Sequence, residues 1–101
     1  HIQAHEVPFH PEALELARMG FIPAGAYRNR EYAQAGVQVN GRVEQALEDL
    51  FYDPQTSGGL LAAVPKECAE ECLERLLAAG VAAARIGYVT EQQAAAVCLE
   101  G

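Results

Sequence analysis

The sequence predicts an α+β domain, a layered α/β sandwich with a mixed or antiparallel sheet and a partly ferredoxin-like order of elements. Three observations carry that expectation. Half of the 101 residues are apolar, enough to bury a core in a chain with room for one compact unit. Two stretches, 43–51 and 65–79, place apolar residues at helical spacing. Around them lie short apolar runs bounded by turn residues, which read as strands.

Taken in order, Ile2 to Val7 alternates loosely and meets Pro8, the pattern of a short strand. Pro11 stands where a first helical turn tolerates it, and Ala13, Leu14, Leu16, Ala17 and Met19 give one apolar side. With Gly20 as a stop, a helix is expected over 11–19. From Phe21 to Gly36 no period is sustained, so this stretch reads as a long ordered loop. Val37 to Val39 adds a short strand. Val43, Ala46, Leu47, Leu50 and Phe51 fit the i, i+3, i+4, i+7, i+8 template of a helix that Asn40 or Gly41 opens and Pro54 ends.

Asp53 to Gly59 is a dense turn signal, and Leu60 to Val64 a continuous apolar run, the mark of a strand covered on both faces. Pro65 opens the clearest helix, with Cys68/Ala69, Cys72/Leu73 and Leu76/Leu77 four apart and Gly80 at its end. Ala82 to Val89 and Ala94 to Leu99 complete the expected strands, joined by a tight connection over Thr90 to Gln93.

Charge and composition exclude whole classes of function. Fourteen acidic residues against seven basic ones give a net charge of -7. That leaves no basic stripe for nucleic acid and no basic amphipathic helix for an acidic membrane. The longest apolar run, around Gly58 to Val64, is far too short to span a bilayer, and no export signal opens the chain. Three cysteines cannot all pair, which points to a reducing, cytoplasmic setting. The chain starts at His1 and its one methionine is Met19, as expected of an excised or processed piece.

Few residues carry recognisable chemistry. Cys68, Cys72 and Cys98 lack the further ligands of a zinc site and read as small core hydrophobes. His1, His5 and His10 have no carboxylate support at matching spacing, so no metal site is assigned to them. Arg28, Asn29 and Arg30 form the one basic cluster, suited to phosphate or carboxylate and equally to ion pairs with acidic neighbours. Thr56 and Ser57 offer hydroxyls, and the amides of Ser57, Gly58 and Gly59 can form an anion nest. That loop leads into an apolar run rather than a helix and has no Lys, which excludes a P-loop. Read alone, it is as much a structural turn as a binding loop.

Three segments share one resemblance. DPQTSGGLLAAVP, Asp53 to Pro65, resembles the signature of the selenide, water dikinase (selenophosphate synthetase) family. FIPAGAYRNRE, Phe21 to Glu31, is similar to that family's Pro-Gly-Gly-Thr-x-x-Asn loop, with Ala24 and Ala26 in place of a Gly and the Thr. ARIGYVTE, Ala84 to Glu91, is similar to its terminal Ile-Gly-x-Val strand. The resemblance implies the carboxyl-terminal domain of an aminoimidazole ribonucleotide synthetase-like fold over residues 1–101, incomplete at its amino end. It implies a cytoplasmic, homodimeric enzyme whose amino-terminal domain binds ATP. That enzyme turns ATP, selenide and water into selenophosphate, AMP and phosphate with Mg2+. The reactive Cys or selenocysteine, its Lys and the magnesium-binding aspartates belong to other segments, so no catalytic residue falls in this chain and the isolated piece is expected to be inactive. Arg28, Asn29, Arg30, Thr56, Ser57, Gly58 and Gly59 remain as candidates for one wall of the phosphate cleft. The competing reading is a ferredoxin-like regulatory module that senses a small molecule, and a third is a related phosphoryl-transfer synthase.

Overall fold

The computed structural model describes residues 1–101 as an α+β arrangement of three strands and four helices. β1 is Ile2–Gln3, α1 Pro11–Arg18, α2 Ala24–Ala33, β2 Val37–Asn40, α3 Gln45–Leu50, α4 Ala69–Ala78 and β3 Val97–Glu100. α1 begins with Pro11 in its first turn, where the missing N–H costs no hydrogen bond. It closes by bonds from Gly20 N to the Ala17 carbonyl and from Phe21 N to the Leu16 carbonyl. α4 closes in the same way, from Gly80 to Leu77 and from Val81 to Leu76.

The sheet has the order β1-β3-β2 with all strands parallel. The expected mixed or antiparallel sheet is therefore corrected: antiparallel pairing is confined to one bridge, Ile2 with Gly87. Gln3 donates to the Ile86 carbonyl and Tyr88 to the His1 carbonyl around it. A ferredoxin-like sheet, which needs antiparallel neighbours, does not form. Register divides the sheet into two faces. Ile2, Val37, Val39, Val97 and Leu99 share one, while Gln3, Gln38, Asn40, Cys98 and Glu100 share the other. The apolar face meets α1 and α3 in a core centred on Ala4, Leu47 and Leu99, with Leu14, Val43, Leu50 and Phe51 packed around it.

Several expected elements change. The first strand is Ile2–Gln3 followed by a 3-10 turn over Ala4–Glu6 rather than 2–7. The expected loop 21–36 contains α2 and a 3-10 turn at Gln34–Gly36. Ala, Arg and Glu favour a helix there, but only Ala26 is buried, so no apolar period announces it. Residues 82–89 give only the bridge at Gly87.

The largest correction falls on Leu60 to Val64. No strand forms there, and Leu60 is 102% and Leu61 76% exposed. A doubly covered strand needs a ladder partner on each side; this run enters no sheet pairing. α4 likewise buries no residue. Cys72 is half-buried and Cys68, in the 3-10 turn Lys66–Cys68, is exposed, so of the three cysteines only Cys98 is buried, on the sheet face opposite the core.

Candidate functional site

The arginine segment and the glycine loop meet at a corner built by α2 and the end of α3. Three contacts make it. Asn29 donates its side-chain amide to the Tyr52 carbonyl at 2.8 Å. Arg30 pairs with Asp49 at 2.5 Å and Glu48 at 3.2 Å, and its guanidinium lies over the Tyr52 ring, 4.8 Å from the centroid. At Gly25 the helix comes against Pro54: a Cβ there would stand 2.9 Å from the proline Cγ. A side chain at this position would push the proline, and the loop that follows it, away from α2.

These contacts sort the predicted residues. Arg30 is held by two carboxylates and an aromatic ring, and Asn29 by a backbone carbonyl, so both fasten α2 to residues 48–54. Arg28 sits about 60° round the helix from Gly25. It is exposed and has no acidic partner, unlike Arg18, Arg30, Arg75 and Arg85. Thr56, Ser57, Gly58 and Gly59 lie in an exposed bend, and the two hydroxyls make no hydrogen bond within the chain. Gly59 adopts φ +68, a conformation side chains resist, whereas Gly58 has no positive φ and open space where a Cβ would stand. The conformational demand of the loop thus rests on Gly59.

Below the corner, an apolar groove of about 380 Å3 runs between α2 and the sheet. Tyr32 and Ala33 line one side, Val37, Val97 and Leu99 the other, and Phe51, Tyr52 and Asp53 close an end. Burial pushes the Tyr52 phenol up from its usual value; Glu48 adds to the rise and Arg30 opposes it. The groove offers no cation to a phosphate; Arg28, Thr56 and Ser57 are exposed and do not line it.

Sequence reasoning found Arg28, Asn29 and Arg30 but missed Glu48, Asp49 and Tyr52 as the partners of Asn29 and Arg30, and Gly25 as the contact of Pro54. The acidic pair Glu48-Asp49 beside an aromatic was the available signal for an arginine clamp. Arg28, Thr56, Ser57 and the loop amides do not suit Mg2+, which takes carboxylate oxygens, and the nearby Glu48 and Asp49 carboxylates are engaged by Arg30. The three histidines do not gather either; His1 instead approaches Cys98 and Glu100.

Comparison with known proteins places this geometry in context. Residues 4–99 match the family described as AIR synthase related protein, C-terminal domain. A selenide, water dikinase of Clostridioides difficile (strain 630) is 46% identical over 85 residues, 84% of this chain and 24% of the relative. One of Pelobacter propionicus is 45% identical over 100 residues, 98% of this chain and 29% of the relative. A third, of Nitratidesulfovibrio vulgaris (strain DP4), is 36% identical over 91 residues, 90% of this chain and 26% of the relative. The chain thus spans about a quarter of the length of these relatives. No solved structure matches.

Proposed function

Because this chain belongs to the AIR synthase related protein, C-terminal domain family, we propose that it is the carboxyl-terminal part of a selenide, water dikinase and forms one wall of its phosphate cleft. The whole enzyme would convert ATP, selenide and water into selenophosphate, AMP and phosphate. The amino-terminal part of the same protein would hold ATP and Mg2+, form the homodimer and work in the cytoplasm. Phosphoryl transfer is mostly positioning and charge neutralisation, so a part without metal ligands can still contribute by placing donors. With a net charge of -7, this part can attract phosphate only locally.

One observation carries the reading: the packing of Pro54 on Gly25, which sets the DPQTSGG loop beside the helix bearing Arg28. From that corner Arg28, the Thr56 and Ser57 hydroxyls and the amides of Ser57 to Gly59 can reach a phosphate, while Asn29 and Arg30 hold the corner's shape. The exposed Leu60, Leu61 and Leu77 add support, since a larger protein would cover them.

The test is AMP formation from ATP by the full-length protein, with and without selenide. We expect it to depend on selenide, and the 101-residue piece alone to give none. In the full-length enzyme Arg28→Ala should raise KM for ATP at an unchanged melting temperature, whereas Arg30→Ala should cost stability of about 1–2 kcal/mol. Absence of selenide-dependent AMP formation by the full-length protein would refute the family activity. Normal kinetics in Arg28→Ala would remove that residue from the cleft.

A further inference from the structure

The polar face of the sheet gathers three side chains of different chemistry at one point. Cys98 and Glu100 are two apart on β3 and therefore point the same way. His1 directly precedes Ile2, whose partner is Leu99, so it falls on that same face. The His1 Nδ1 lies 2.6 Å from a Glu100 carboxylate oxygen, and the imidazole nitrogen, thiol sulfur and carboxylate oxygen all lie within 4.8 Å of one another.

We propose that His1, Cys98 and Glu100 form a binding site for one divalent ion of borderline softness, of the zinc class. The donor set selects the ion. Thiolate and imidazole suit zinc and its neighbours and are poor ligands for magnesium or calcium, which take oxygen. In a tetrahedral zinc site, ligand atoms at about 2.0–2.3 Å from the metal stand roughly 3.3–3.6 Å apart. The imidazole and carboxylate atoms now stand at 2.6 Å, closer than that, and the thiol lies within 4.8 Å of both, so an ion would part the first two and draw the sulfur to about the same spacing. Three protein ligands leave a fourth position for water, the arrangement of an open rather than a closed zinc site.

The surroundings support ligation. Asn40, the β2 partner of Glu100, donates to the same carboxylate oxygen at 3.2 Å. The His1 ring stacks on Tyr88 with centroids 4.8 Å apart and planes 4° from parallel, which fixes the direction of its nitrogens. Such outer partners hold ligands in the pose a metal needs. Cys98 is buried, whereas the His1 and Glu100 side chains keep 15% and 22% of their surface, so an ion has a path from solvent. Binding replaces the thiol proton, which leaves to water as the sulfur becomes a thiolate.

The experiment uses the full-length protein that carries this chain, titrated with Co2+ as a spectroscopic substitute for Zn2+ and then displaced by Zn2+. We expect a thiolate-to-cobalt charge-transfer band that Cys98→Ser abolishes. Zn2+ affinity should fall at least about tenfold in His1→Gln and in Glu100→Gln, and by roughly tenfold in Asn40→Ala. Zn2+ should raise the melting temperature of the parent more than that of each variant. Should Cys98→Ser fail to fold, the His1→Gln and Glu100→Gln affinities decide alone. A cobalt spectrum without a sulfur band, or affinities unchanged in those two variants, would overturn the site. Selenide-dependent AMP formation plays no part in this readout, so either assignment can fail while the other stands.

Discussion

Two regions of this chain are equally apolar on paper and end in opposite surroundings. Around 43–52, Leu47 is 2% exposed and Ala46 and Tyr52 are buried with it. In 60–77, Leu60, Leu61, Val64, Leu76 and Leu77 all stay exposed. The difference lies in what each meets. α3 has α1 and the apolar face of the sheet against it, and its polar groups are satisfied within the helix. Leu60 to Val64 has neither a ladder partner nor a cover, so apolar character alone buries nothing. Burial depends on a partner surface as much as on the residue.

The sharpest way to break this comparison is to truncate one side chain in each region. In the 101-residue chain, Leu47→Ala should lose about 2–5 kcal/mol by denaturant unfolding, through lost transfer energy and the cavity left behind. Leu61→Ala should stay within about 0.5 kcal/mol of the parent. A large cost at Leu61 would mean that the run is covered after all. In the full-length protein a cost appearing at Leu61 alone would show that another part of that protein covers it.

Gly87 is the point where the segment after α4 touches β1. A Cβ there would collide with the His1 carbonyl, so Gly87→Ala should part residues 86–88 from β1. We expect a loss of about 1–3 kcal/mol in unfolding free energy, with amide exchange accelerated at Gln3 and Tyr88, the two donors beside the bridge. Protection unchanged at both amides would show that the bridge contributes nothing.

The glycine loop sharpens the contrast on a smaller scale. Gly59→Ala should cost about 1 kcal/mol because its φ of +68 disfavours a Cβ, while Gly58→Ala should be near neutral. The two melting temperatures, measured side by side, check this; equal values would mean that the turn relaxes freely.

The smallest effect belongs to the α1–α3 contact on the packed side. Arg18 bonds Glu44 at 2.7 and 2.8 Å and also Glu15, and the hydrogen bond to Arg18 holds the Glu44 carboxyl below its ordinary 4.5. The folded state therefore takes up the Glu44 proton less readily than the unfolded state. Its contribution is fully present above the ordinary value and is lost as pH falls through the lowered one. Both side chains are exposed, so the effect should be slight and shrink further in salt. An acid-unfolding midpoint that is the same in Glu44→Gln as in the parent would remove it.

How far the sequence could be read follows from the same physics. α1 and α3 were readable because Leu14 and Ala17, and Val43, Ala46, Leu47 and Leu50, repeat at helical spacing; α1 ends one residue short of the expected 11–19, whereas α3 opens at Glu44 rather than at Asn40 or Gly41, because Asn40 is held in β2. α2 was hidden because polar contacts from Asn29 and Arg30 fasten it, and hydrophobic period does not register these. Parallel pairing was hidden too. β1 and β3 lie at opposite ends of the chain, and no local pattern states that Ile2 will face Leu99. For the site, DPQTSGG marked its loop and Arg28 to Arg30 its helix, but the Gly25–Pro54 contact that joins them depends on tertiary packing.

The strand order carries a kinetic consequence. β3 lies between β1 and β2, which do not pair with each other, so both ladders wait for residues 97–100. During synthesis the sheet cannot begin to zip until residues 97–100 are made, and every strand pairing it gains closes a long loop. The helices can form early, but Ile2, Val37 and Val39 stay on open strand edges until that strand emerges. Folding is thus timed by the arrival of one four-residue strand, and a chain cut short before Val97 would be exposed to aggregation rather than partly folded.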